Sequence, residues 1–436
     1  MTPQILVIGA GMAGISAART LHDAGCRVIV LEARDRIGGR THTDSSLGVD
    51  IDLGAAWIHG PTANPLVPLA KKHGVGWGTT DFFNVHGGAV MAFHADGTPI
   101  DEAAYTAGIQ HFPAAYAHLH NSLLTEKPGD DIRSLADLLD FGLPGQEALT
   151  GDAAAGFHYT SRVRIRYEDS ADLDRVDWRI GRGYTKLPGG DLLVYDGGFG
   201  RLTAGLAEGL DIRTGVVVER IDYSEAVVTV ATSQGDFQAD RVVVTVPLGV
   251  LKAGVIDFTP TLPRENQAAI QRIGYGNYEK LALRFPHIFW PIGPHRFNYL
   301  SDADPPLYMA WLNNAHYTGE PVLIAYHAAG LAQHTNKWSD EQLIAGALET
   351  LRKMFGPDVP EPISHVRSGW EADPFSRGSY SFSQLGMTSE DRAALAAPVG
   401  DVLFFAGEAT HPHYWATVHG AYETGVRAAR EVLGKT

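Results

Sequence analysis

Gly9, Gly11 and Gly14 stand in a Gly-x-Gly-x-x-Gly spacing directly after the apolar run Ile5-Leu6-Val7-Ile8, and Glu32 closes a second run, Val28-Ile29-Val30-Leu31. Each residue type has its own task in holding a dinucleotide. Gly9 permits the tight turn, Gly11 lets backbone approach a pyrophosphate, Gly14 lets a helix pack closely, and the acid accepts hydrogen bonds from ribose hydroxyls. The stretch Ala33-Arg34-Asp35-Arg36-Ile37-Gly38-Gly39-Arg40 follows at once, adding backbone amides and positive charge for a longer diphosphate. This extension looks like the flavin version of the motif rather than the nicotinamide one. Near the other end, Phe404-Phe405-Ala406-Gly407-Glu408 followed by Ala416-Thr417-Val418 puts a strand, an acid and a helix start in succession. Free amides at such a start stabilise negative charge, as a reduced flavin carries at N1 and the C2 oxygen. Glu408 would then sit near the ribityl or diphosphate region; taken alone, the segment is equally an ordinary strand-to-helix turn with an exposed acid.

A chain of 436 residues is too long for one ordinary core and suits two domains. With 44% apolar and 19% charged residues the composition is that of a globular protein. A formal net charge of −15 argues against nucleic acid or an anionic membrane as partner and suits a small cationic substrate, although solubility alone explains it too. The single cysteine, Cys26, lies at a helix-to-strand turn, where it reads as packing and builds neither an internal disulfide nor a metal site. With the first strand at Ile5 there is no room for a signal peptide, and no apolar run has membrane-helix length, so a cytoplasmic location is expected.

Along the chain, residues from about 61 to 161 carry a helical periodicity, as in Asp131-Ile132-Arg133-Ser134-Leu135-Ala136-Asp137-Leu138-Leu139, and read as a helical insertion. Strands separated by short turns return over 211–247, mixed structure follows from about Ile273, and a final helix runs roughly from Val418 to Leu433. The expected fold class is α/β, with a Rossmann-like dinucleotide domain over 1–75, 195–272 and 385–436 interleaved with an α+β substrate domain over 76–194 and 273–384.

The glycine fingerprint with Glu32 and Gly38-Gly39-Arg40, the loop Gly54-Ala55-Ala56-Trp57, the segment Val246-Pro247-Leu248-Gly249-Val250-Leu251-Lys252 and Phe405-Ala406-Gly407-Glu408 together resemble the flavin-containing amine oxidases. The resemblance runs from residue 5 to about 430 and is thin between 80 and 160. It implies non-covalent FAD, held by Gly9, Gly11, Gly14, Glu32, Arg34, Gly39, Arg40, Gly54, Ala55, Ala56, Trp57, Val218, Glu408, Thr417 and Val418, with Val218 meeting the adenine through its backbone. Covalent attachment by a cysteine before Tyr380 is excluded, since Ser379 stands there.

The resemblance also implies catalytic roles. Lys280 matches the lysine that holds a water against flavin N5, where a cation helps dioxygen take up electrons. On composition alone it would be an exposed strand lysine, on the face of Ala282 and Arg284. The block Trp370 to Ser381 is similar to polyamine oxidases and histone demethylases, making Tyr380 a wall of the amine site and Phe375 a substrate neighbour. The second tyrosine of monoamine oxidases is Thr417 here, which weighs against that class. His59, in Trp57-Ile58-His59-Gly60, resembles the spermine and acetylpolyamine oxidases and would contact a substrate nitrogen; a structural hydrogen-bonder stands beside that role at even weight. Glu168 falls where some spermine oxidases bind the substrate, or belongs to a solvated acidic loop. The implied reaction is hydride transfer from a polyamine to flavin N5, giving an imine that hydrolyses, with oxygen reduced to peroxide. A monoamine or L-amino acid oxidase, clamping a carboxylate with Arg164, Arg166 or Arg377, is the alternative. A non-catalytic FAD-holding or demethylase-like protein is more remote.

Overall fold

The computed structural model describes residues 3–80, 89–126, 133–179, 185–303 and 307–434. The opening apolar run forms the strand Gln4–Ile8, buried from Ile5 onward because it is the middle strand of a five-stranded sheet. Across that sheet lie Leu403–Phe405, Arg241–Val244, Gln4–Ile8, Arg27–Leu31 and Asp211–Arg213, and every neighbouring pair is parallel. Strands covered on both faces read as unbroken runs of Val, Ile and Leu, as these do. Alternation sends Ile5 and Val7 to one face, where the helices Met12–Asp23 and Val418–Val432 pack, and Leu6 and Ile8 to the other. That second face is covered by a four-stranded sheet in which Val218–Asp222 lies between Val228–Thr232 and Asp257–Thr259. The two helices touch closely at Gly425, where a Cβ would stand 2.2 Å from the carbonyl oxygen of Ala13.

A second large sheet has six strands, ordered Ser364–Arg367, Tyr278–Arg284, Val322–Ala328, Ala310–Asn313, Arg296–Tyr299 and Val90–Phe93. Leu281 and Leu283 face the helix Asp340–Phe355, through Leu343, Ala347 and Leu351. Ala282 and Lys280 take the opposite face, as period-2 alternation requires, toward Trp370 and Tyr326. The architecture is thus mixed α/β. No helix among the described residues is long and apolar enough to cross a membrane.

The expected helical insertion is only partly helical. Gly76–Thr80 and Val90–Phe93 are strands; the first pairs with Asp191–Asp196, which also pairs with Trp57–His59. Their partners lie far along the chain, so local periodicity carries no trace of them. The helices of this stretch include Leu66–Lys72, ahead of both strands, then Glu102–Glu126, and Leu135–Phe141, which Ser134 starts with a capping box to Asp137. Asp131 and Ile132 lie outside the described residues.

Candidate active site

One cavity of about 710 Å³ joins the two sheets. At its first end the turn after Gln4–Ile8 is fixed by Gly9, whose φ is +101° and whose N–H donates to the carbonyl of Leu31 (2.8 Å). A Cβ on Gly14 would lie 1.9 Å from the carbonyl oxygen of Gly9, so the protein itself demands that glycine. Gly11 differs. A Cβ there would meet nothing closer than the carbonyl oxygen of Gly38 at 3.9 Å, yet Gly11 lines the cavity. The buried carboxylate of Glu32 accepts hydrogen bonds from the N–H groups of Ala10 (2.7 Å) and Arg34 (2.9 Å), which hold it at the strand end. Arg34 in turn donates to Asp373 and lies over the ring of Phe375, 5.6 Å from its centre. Phe375 therefore stands at the Glu32 end, with Val216, Val217 and Val218 lining the same cavity, and not beside Lys280 as expected for a substrate contact. The Asp373–Arg34 pair carries the start of its segment to the nucleotide end.

Glu408 is 5% exposed, which removes the exposed-turn alternative. Its carboxylate accepts from Arg40 Nη1 (3.0 Å), Ser381 Oγ (2.7 Å) and Ala416 N (2.8 Å). Burial works against its ionised form, but the charges of Arg40 and Arg392 and the Ser381 hydroxyl outweigh it and hold the carboxyl below its ordinary value. Arg392 carries no signal in the sequence, where Asp391-Arg392 reads as a surface helix start. It is 2% exposed, donates to Ser381 Oγ (2.9 Å) and the Ala409 carbonyl (3.0 Å), and lies 4.4 Å from the centre of the Trp415 ring. Thr417 caps the helix Val418–Val432: its hydroxyl donates to Tyr414 O (2.6 Å) and accepts from Gly420 N (2.9 Å).

At the far end Lys280 is 4% exposed, so it is no surface lysine. It stands one layer behind the wall formed by Gly54 and Trp57, with Nζ donating to the carbonyls of Gly54 (2.6 Å) and Asp52 (2.7 Å) and lying 5.3 Å from the Trp57 ring centre. The carboxylate of Asp52 is turned elsewhere, accepting from Thr43 Oγ1 and from Phe199 N at the start of the helix Gly198–Ala207. Burial pulls the Lys280 ammonium below the ordinary lysine range, against the charge of Asp52, and pushes Asp52 up.

Tyr380 donates its hydroxyl proton to the Tyr167 carbonyl (2.6 Å) and joins an aromatic cluster in which Tyr278 is 6.1 Å from Tyr380 and 5.6 Å from Tyr326. Burial, with the charges of Asp169 and Glu168 added, holds the Tyr380 hydroxyl far above its ordinary value, so it stays neutral. His59 Nδ1 lies 2.6 Å from Asp191 Oδ1, a partner brought in by strand pairing and without local signal in the sequence. Glu168 sits on the short helix Ile165–Asp169, not in a loop, and Arg164 Nε donates to it (3.0 Å). Glu168, Asp169, Tyr167 and Lys186 line the cavity together with His59. Of the three arginines considered as carboxylate clamps, Arg164 pairs with Glu168 and Arg166 with Asp172, while Arg377 bonds back to the Pro374 carbonyl. No group of three metal-ligating side chains occurs among the described residues.

The donor set and shape suit a long dinucleotide: an acid at one end, an open glycine cradle and Arg40 in the middle, a capped helix start, and an aromatic chamber beyond. A family model described as flavin containing amine oxidoreductase matches residues 12–433. The chain belongs to this family. It is accordingly an FAD-dependent amine oxidase, as the glycine fingerprint, Glu408 and Lys280 segments led one to expect. Its relatives include polyamine oxidase 2 of Arabidopsis thaliana, 37% identical over 440 residues that cover 99% of this chain and 88% of that one. Polyamine oxidase 4 of Oryza sativa subsp. japonica is 34% identical over 446 residues, covering 98% and 88%. Lysine-specific histone demethylase 1 homolog 2 of Arabidopsis thaliana is 34% identical over 445 residues, covering 98% of this chain but 58% of that protein.

Proposed function

We propose that this amine oxidase acts on a polyamine, oxidising a C–N bond to an imine that water hydrolyses to an aldehyde and a shorter amine, with dioxygen reduced to hydrogen peroxide. The observation that carries the proposal is the far chamber, where two carboxylates, Glu168 and Asp169, line the wall with His59, Tyr167 and the cation Lys186. Acids away from the reacting carbon suit a substrate with several cationic nitrogens, and the polyamine oxidase relatives support the same choice. An amino acid oxidase would need an arginine for the carboxylate. The arginines that line the cavity, Arg34, Arg40 and Arg377, sit with Glu32, Glu408 and Pro374 instead.

In this proposal residues 1–75, 195–272 and 385–436 form the Rossmann-like FAD domain, and 76–194 and 273–384 the substrate domain. Glu32 and Val218 hold the adenosine, Gly11, Gly39 and Arg40 the diphosphate, and Gly54, Trp57 and the amides beginning at Thr417–Val418 the ring system. Bound FAD supplies the hydride acceptor and passes the electrons on to dioxygen. Tyr380 walls the amine. His59, oriented by Asp191, holds the proton that the reacting nitrogen must lose. The buried Lys280 cation favours electron uptake by oxygen.

Anaerobic mixing with spermine, spermidine, putrescine, tyramine and leucine tests the proposal: the polyamines are expected to bleach the flavin spectrum fastest, and an absence of bleaching with every amine would sink it. Two variants probe its parts. Gly11→Ala is expected to fold normally but to lose most of its FAD, because the methyl projects into space left only for the ligand, whereas Gly14→Ala should fail to fold. Flavin content and thermal unfolding separate the two. Glu168→Gln is expected to raise KM for spermine about fivefold and for tyramine hardly at all, the weight of one partly screened charge. Equal shifts for both amines would remove Glu168 as a remote anchor.

A further inference from the structure

Tyr380 is the expected aromatic wall, and the position matched to the second tyrosine of monoamine oxidases is Thr417, whose hydroxyl is spent on the helix cap. Two residues earlier, Trp415 lines the cavity while being only 6% exposed. Its ring is stacked on the guanidinium of Arg392, which is not part of the cavity wall, so the cation lies on the buried side of the ring. The next residue, Ala416, has a φ of +61°, a left-handed conformation that costs a non-glycine residue about 1 kcal/mol or more. It is held there by its N–H bond to Glu408 Oε2. The same Arg392 donates to Ser381 Oγ, the residue after Tyr380, and Ser381 Oγ donates to Glu408. One buried cation and one buried carboxylate thus fix the backbones that carry both Tyr380 and Trp415.

We propose that Trp415 is the second aromatic wall of the amine site and that Arg392 is the positioning residue that locks it relative to Tyr380. This rests on the amine-oxidase activity and deepens the polyamine reading by assigning the surface that grips the chain next to the reacting nitrogen. An indole covers more of a methylene chain than a phenol and attracts a nearby ammonium more strongly. Arg392 serves because a planar guanidinium both stacks and donates in one plane, which an ammonium does not.

The test is anaerobic stopped-flow reduction with spermine, which separates the Kd from the limiting rate of flavin bleaching, together with hydrogen–deuterium exchange over residues 409–419. Trp415→Ala is expected to raise the Kd about tenfold with less than a threefold change in limiting rate, and Trp415→Phe to recover most of the affinity. Arg392→Met should raise the Kd to the same degree while keeping FAD, speed exchange at the Ala416 N–H, and add nothing further in the double variant. If Arg392→Met does not fold, Arg392→Lys replaces it, with the same rise in Kd expected. A Kd within threefold of wild type in Trp415→Ala would overturn the wall, and additive effects or an unchanged Arg392→Lys would overturn the positioning role. Failure of every amine to bleach the wild-type enzyme would strike the polyamine proposal instead.

Discussion

Replacing Lys280 by methionine is expected to leave FAD bound and to slow reoxidation of the reduced enzyme by dioxygen about 100-fold, the usual weight of one preorganised charge at a developing anion. Two of the three N–H donors of Lys280 are taken by carbonyls, which orient the ammonium without neutralising it, and the carboxylate of Asp52 is engaged by Thr43 and Phe199. The charge therefore acts from directly behind the wall formed by Gly54 and Trp57. Because burial lowers the pKa of Lys280, the charged form is lost as pH rises, at a lower pH than an exposed lysine would show. Wild-type reoxidation should fall through that range, and the rate of Lys280→Met should be flat across it. Stopped-flow mixing of photoreduced enzyme with oxygenated buffer measures both; identical rates in the two proteins would take Lys280 out of the reaction.

Glu408→Leu is expected to cost about 3–5 kcal/mol of stability and nearly all bound FAD, since it leaves the buried Arg392 and the half-buried Arg40 without their shared carboxylate. The sign of its pH dependence follows from its lowered pKa. A carboxyl that titrates lower in the folded protein stabilises it fully above its unfolded value and loses that contribution as pH falls through the folded one. Urea midpoints measured from about pH 6 down to about pH 3 should therefore decline in the wild type and decline less in Glu408→Leu. Parallel curves would show that Glu408 carries no net charge advantage.

The parts of this site that were legible in the sequence are those whose cause is local. Gly9 and Gly14 are forced by a turn and a helix that lie within ten residues of each other, and the face of Lys280 follows from alternation along one strand. What the sequence hides is contact between distant segments. Asp191 reaches His59 only because Trp57–His59 and Asp191–Asp196 are adjacent strands, and the strand Gly76–Thr80 exists only because the same partner arrives later. Arg392 has the local pattern of a surface residue and is buried by the strand that carries Ser381 and the short helix that carries Ala409. Phe375 and Tyr380 part for a similar reason: close in sequence, they are drawn to different partners, Arg34 and Tyr167.

The parallel sheet around Gln4–Ile8 takes its remaining strands from residues 27–31, 211–213, 241–244 and 403–405, and its covering helix from 418–432. During synthesis the first βαβ unit therefore emerges with one edge of its central strand unpaired for some two hundred residues and part of its apolar face bare until residues 418–432 are made. A nascent chain in that state exposes an unpaired strand edge and apolar surface, and a stop codon ahead of Val418 leaves a protein without a finished core, however intact its glycine fingerprint.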